Sequence, residues 1–170
     1  MTEARRVDVV DYSKKWPIEF REERDRLIGA IGSITRDIRH VGSTSIPGMT
    51  AKPIIDIAVG LVKFGDGASC VAPLQRLGYE SRGEYGIPGR HYFVKGSPST
   101  RHLHMYAESD PRLLDYILFR DYLIAHPDPA IQYAALKRDL AGRFGDDRAS
   151  YQDGKAAFVE SVLEKARGTL

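Results

Sequence analysis

Residues 40–60 read HVGSTSIPGMTAKPIIDIAVG. The stretch opens in a polar, glycine-containing turn and closes in an apolar run. That run carries one charge, Asp56, between Ile55 and Ile57. Extended to KPIIDIAVGLV (52–62), it is apolar almost throughout, which predicts an interior strand covered on both faces. Strand alternation sends Ile55, Ile57 and Val59 one way and Ile54, Asp56 and Ala58 the other. An ionised carboxylate on a covered face is costly without a partner. Two partners fit: an Arg or Lys from a neighbouring strand, or a metal ion in a cleft.

The turn ahead of it, Gly42-Ser43-Thr44-Ser45, offers backbone donors and hydroxyls. Such turns hold phosphate oxygens when they sit between a strand and a helix. The plainer reading is a Ser/Thr turn that caps the next piece of chain. Neither a Walker P-loop nor a dinucleotide fingerprint is present.

Downstream, RHLHMYAE (101–108) reads as a strand in which His102 and His104 share one face while Leu103 and Met105 face the core. Two histidines so spaced bind a divalent metal, or one acts as a base. A pair of hydrogen-bonded histidines on a half-exposed face is the alternative. Between the two strands lies GEYGIPGRHYF (83–93), whose glycines and proline indicate a shaped loop. Glu84 is its candidate second carboxylate for a metal, and Arg90 its candidate fork of donors for a phosphate. A hairpin loop with a surface ion pair accounts for the same residues.

The remaining chain supplies the frame. VDVVDY (7–12) reads as a short strand, 16–32 as an amphipathic helix with Pro17 in its first turn, and 33–41 as a strand. Residues 67–79 read as a helix stopped by Gly78, and 79–85 and 90–96 as strands. From residue 109 the pattern turns helical, with starts at Asp110-Pro111 and Asp128-Pro129 and a last helix over 149–168. In these helices Lys137, Lys155, Arg120 and Asp121 are candidates by context, against the alternative of a solvated helix face. The whole is an α+β domain of 170 residues, with a mixed-sheet core over 6–108 and a helical cap over 109–168.

Composition narrows the function classes. A net charge of +2 and the lack of any basic, aromatic-interleaved stretch point away from nucleic acid as a partner. No run reaches the ~18 apolar residues of a membrane span, and the first residues hold no signal-peptide core. The lone cysteine, Cys70, excludes an internal disulfide and reads as a small buried hydrophobe. A cytoplasmic protein is the expectation. Oligomeric state is not legible.

HVGSTSIPGMTAKPIIDIAVG, GEYGIPGRHYF, HLHMY, FRDYLIAHPD, YAALKRDLA and YQDGKAAFV occur in the order and spacing of the GrpB family, which the chain resembles over about residues 6–160. That resemblance implies a polymerase-β-like nucleotidyltransferase fold. Its pattern is a G-[GS] turn, a strand carrying D-x-[DE], and a third acidic residue from a later strand. The carboxylates of that pattern hold two Mg²⁺ ions. Gly42-Ser43 matches the turn and Asp56 the first carboxylate. Ala58 stands at the second, and the later strand offers His102 and His104. The resemblance therefore implies a metal-dependent transfer of a nucleotidyl group from an NTP to a small-molecule acceptor. In that scheme Asp56 holds Mg²⁺ or Mn²⁺ with Glu84 or His104, and His102 or His104 is the base. The turn, Lys52, Arg90, Lys137 and Lys155 bind phosphate. Two alternatives remain. One is a non-catalytic nucleotide-binding domain that partners an enzyme, as in coenzyme A synthesis, where a similar domain is fused behind dephospho-coenzyme A kinase. The other is a phosphate-ester hydrolase using Zn²⁺ or Mn²⁺.

Overall fold

A computed structural model describes residues 6–170. The apolar run of the opening stretch forms strand β2 (Ile55–Leu61), next to β1 (Thr35–Val41). Helix α1 (Trp16–Ile31) precedes them, and α2 (Gly67–Arg76), β3 (Tyr79–Ser81), β4 (His91–Lys95) and β5 (Arg101–Ala107) follow. The five strands make one sheet in the order β1-β2-β5-β4-β3. Strands β2 and β5 are parallel and the other neighbours antiparallel, so the sheet is mixed as expected.

The alternation read from the sequence holds. Ile55, Ile57, Val59 and Leu61 enter the main core with Phe93, Leu103 and Met105. Leu27 and Ile31 of α1 and Cys70 and Leu74 of α2 close that core from outside. Each such side chain stabilises the fold by about 2 kcal/mol through removal from water. The opposite face carries Asp56, Ala58, His102 and His104.

Helix α3 (Pro111–Ala125) packs on that second face, and α4 (Pro127–Phe144) and α5 (Arg148–Arg167) pack against α3 and each other and face the sheet across a cavity. Asp110 caps α3 by accepting from the Arg112 amide at 2.9 Å, with Pro111 at the first helical position. Asp147 caps α5 by accepting from the Ser150 amide at 3.0 Å. Leu113 of α3 packs on Ala58 and Tyr106. A side chain added at Gly154 of α5 would meet Leu140 at 2.5 Å, so this glycine lets α5 lie close to α4.

Four boundary expectations are corrected. The predicted strand at 7–12 is no strand of the sheet. Its backbone makes one isolated bridge, Val10 to Ala51, and Val7 packs on Leu140 and Tyr151 of the helical third. Helix α4 starts at Pro127 rather than Pro129, because either proline suits a first turn and the earlier one follows the extended His126 directly. Helix α2 ends at Arg76, ahead of Gly78 with φ of 92°. Strand β3 stops at Ser81, where the chain leaves for a turn containing Gly83 with φ of 59°.

Candidate functional site

Parallel pairing of β2 with β5 sets Asp56 beside His102 and Ala58 beside His104. Residues paired in this way project from the same face. Nε2 of His104 lies 3.0 Å from Oδ1 of Asp56, and Nδ1 of His102 lies 3.7 Å from the same oxygen. One donor atom from each of the three lies within 4.8 Å of the others. The lone carboxylate is therefore answered by two imidazoles rather than by an Arg or Lys at ion-pair distance.

The turn after β1 is shaped around this carboxylate. Gly42 has φ of 70°, and a Cβ there would stand 2.8 Å from Oδ2 of Asp56. Only glycine permits both the left-handed backbone and the close approach. The hydroxyl of Ser45 turns back to donate to the Gly42 carbonyl at 2.5 Å. Thr44 is buried, sharing a hydrogen bond with Nε2 of His40 at 2.9 Å. Both hydroxyls thus hold the turn. Gly42, Ser43 and Thr44 line the cavity beside it.

That cavity has a volume of about 460 Å³. Asp56, His102 and His104 line it, and so do five cations: Lys52, Arg90, Lys137, Arg148 and Lys155. Among the described residues none of the five has a carboxylate at ion-pair distance. Lys137 is 2% exposed, donates to the Thr50 carbonyl and lies 4.6 Å from the Tyr133 ring centre. Lys155 and Lys52 lie 4.5 Å and 5.6 Å from the Tyr151 ring. Burial, with the repulsion of Lys155 and Lys52, pushes Lys137 down to about 7. Burial and Lys52 push Lys155 down to about 8, against the pull of Asp56. Unpaired, mutually repelling ammonium groups, Lys137 buried and Lys52 and Lys155 half-buried, are what an anion would relieve.

The acidic side responds in the opposite sense. Burial works to raise Asp56, but the His104 hydrogen bond and the fields of both histidines and Lys52 outweigh it and hold the carboxyl below its usual range. Burial lowers His102 to about 4 despite the neighbouring Asp56, so its ring is neutral at pH 7. An ionised carboxylate is the ligand form that a divalent cation needs, and a neutral imidazole can either ligate such a cation or accept a proton. The set of one oxygen and two ring nitrogens fits such a cation, with imidazole suiting Mn²⁺ or Zn²⁺ more than Mg²⁺.

Of the other expected residues, Glu84, Arg120 and Asp121 lie outside the cavity lining and Arg90 lies within it. Glu84 is exposed and its carboxylate accepts from the Gly89 amide at 2.9 Å, so it stands apart from the Asp56 group. Arg90 lines the cavity but spends two donors on its own loop, to the carbonyls of Glu84 and Tyr85 at 3.3 and 3.0 Å. Arg120 and Asp121 pair with one another at 2.8 Å. The sequence reading missed Arg148, Tyr85, Tyr92, Tyr116 and Tyr133 in the lining. An arginine in the first turn of a helix carries no local signal that it faces a cavity.

Comparison with known proteins agrees with this arrangement at the level of fold and family. A solved structure of GrpB from Enterococcus faecalis superposes with a TM-score of 0.90 at 33% identity, covering 95% of this chain and 98% of that one. The GLD-2/RNP-8 complex superposes at 0.55 with 14% identity, over 91% of this chain and 51% of that one. The Cid1 poly(U) polymerase does so at 0.50 with 14% identity, over 85% and 49%. At such identity these two likenesses concern the fold, which is that of the nucleotidyltransferases. The UPF0157 protein YqkA of Bacillus subtilis is 40% identical over 96% of this chain. The chain spans about half of YqkA, 48% of its length. A dephospho-CoA kinase of Mycolicibacterium paratuberculosis is 26% identical over 94% of this chain and 46% of its own length. The family model described as GrpB protein matches residues 6–165, and the chain belongs to the GrpB family.

Proposed function

We propose that the cavity binds a nucleoside triphosphate with one divalent cation and transfers its nucleotidyl group to a hydroxyl of a small molecule. One observation carries this reading: a carboxylate with two imidazoles and a wall of unpaired cations line the same cavity. A bound cation would draw charge from the phosphoryl oxygens. Asp56 and His104 would hold it. His102, farther from Asp56 and neutral at pH 7, takes the proton of the attacking hydroxyl. The new bond forms at the α-phosphorus as the α–β bridging P–O bond breaks, and pyrophosphate departs with that electron pair. Lys137, Lys155, Lys52 and Arg148 neutralise its charge, in an order of events that positioning and electrostatics govern.

Ala58 limits the chemistry to one cation. It is 1% exposed and packs among Val41, Tyr106 and Leu113. A carboxylate there would displace apolar contacts. The same feature favours a second reading, phosphate-ester hydrolysis on Asp56, His102 and His104, for which Zn²⁺ binding without NTP preference would speak. The likeness to a segment of dephospho-CoA kinase favours a third, a nucleotide-binding domain that serves an attached enzyme.

Calorimetry with ATP, with and without Mn²⁺, tests the proposal. Binding should require the cation, and Asp56→Asn should weaken it at least about tenfold while leaving the fold intact. Were no NTP bound with either Mg²⁺ or Mn²⁺, and Asp56→Asn to alter stability alone, nucleotidyl transfer would be abandoned.

A further inference from the structure

The loop between β3 and β4 presents an aromatic side chain in an unusual state. Tyr85 is 62% exposed, yet it lines the same cavity as Asp56. Its φ is 48°, and it is the non-glycine residue with positive φ among the described residues. A bulky side chain rarely adopts this backbone, and it persists only where surroundings impose it. Here they do. The buried guanidinium of Arg90 donates to the carbonyls of Glu84 and Tyr85, at 3.3 and 3.0 Å. The Glu84 carboxylate fixes the Gly89 amide at 2.9 Å, and the Tyr92 amide donates to the Gly83 carbonyl at 2.9 Å.

The held ring extends a series. Tyr85 lies 5.3 Å from Tyr92, Tyr92 stacks on His104 at 5.2 Å, and His104 bonds to Asp56. Arg90 lies over Tyr92 at 4.5 Å, which keeps that ring in place from within the loop. A strained, over-determined backbone whose product is one exposed aromatic beside the proposed reacting centre is poorly explained by folding. Glycine would adopt this φ without strain.

We propose that Tyr85 is the ring-binding residue of the cavity, stacking its exposed face on a planar, aromatic portion of the ligand. This rests on reading the cavity as a nucleotide site. The ring is either the nucleobase of the donor or a planar group on the acceptor. Stacking on an exposed aromatic tolerates many ring identities because every base has a π-face.

A Tyr85→Trp variant makes the contact visible, since the other tryptophan, Trp16, is buried in the main core. Adenosine and ATP should change the emission of the introduced indole saturably, and inorganic triphosphate should not. Tyr85→Phe should keep ATP affinity. If the ring belongs to the donor, Tyr85→Leu lowers ATP affinity about tenfold and leaves inorganic triphosphate unchanged. If it belongs to the acceptor, ATP affinity survives Tyr85→Leu, and adenosine still titrates the indole with α,β-methylene-ATP already bound. The proposal is overturned if inorganic triphosphate binds while neither adenosine nor ATP moves the indole. A chain that binds neither triphosphate nor ATP sinks the nucleotide reading instead, and the adenosine titration then decides Tyr85 by itself.

Discussion

A carboxylate flanked by isoleucines is tolerated at position 56 because its neighbours are arranged for it. His104 hydrogen-bonds it, and Gly42 yields the space its oxygens need. Lys137 is the converse case, a cation with no carboxylate among the described residues. Its folded pKa is pushed from 10.5 to about 7, so the unfolded chain binds more protons between those values. Stability therefore rises with pH across that window, and at neutral pH the buried ammonium opposes folding. Lys137→Met should raise the melting temperature by about 3–6 °C, net of the donor lost to Thr50. It should also weaken inorganic triphosphate at least about tenfold. A lower melting temperature with unchanged triphosphate affinity would show that Lys137 is structural. Protonation sets the working range too, because Lys137 and Lys155 discharge above about 7 and 8.

Among the elements, the junction of α1 with β3 and β4 depends on one buried charge. Glu23 is 1% exposed and accepts from the Tyr79 hydroxyl and from Lys95, each at 2.8 Å, and from Arg26 at 2.9 Å. Burial works against its ionised form, but the Lys95 and Tyr79 hydrogen bonds keep the carboxyl below its usual range. Glu23→Ala strands a buried hydroxyl and a half-buried ammonium, and should cost about 2–4 kcal/mol in urea unfolding. A loss under about 0.5 kcal/mol would mean that the network is dispensable. Element types were largely legible in the sequence, since apolar alternation and a proline in a first helical turn are local signals. The exception at 7–12 is physical: an apolar pattern records burial, and Val7 is buried against helices instead of in the sheet. In the site, Asp56, His102 and His104 were legible because period-two alternation places them on one face. Arg148 and Tyr85 were not, because an exposed-looking helix start and a loop aromatic acquire meaning from what folds opposite them.

Across the whole molecule, acid should act in two stages. His40 and His102 are both held at about 4 in the folded state, mainly by burial, against an ordinary 6.5. Between those values the unfolded chain binds more protons, so stability falls as pH drops from 6.5 towards 4. Asp56 and Glu23, both lowered, add their loss as pH falls further through their folded values. Melting temperatures across pH 4–8 should decline from about 6.5 downward, with the two histidines together contributing several kcal/mol by pH 4. A flat profile from 6.5 to 4.5 would contradict the burial of these imidazoles. Which residues can share a face follows from local pattern alone: the strand period sends Asp56 away from the core, and it does the same for His102 and His104. That these faces coincide is set by long-range packing, because the parallel register of β2 with β5 pairs segments far apart in the chain. The same packing brought Lys137, Arg148 and Lys155 over that face from helices whose own pattern records burial without naming a partner.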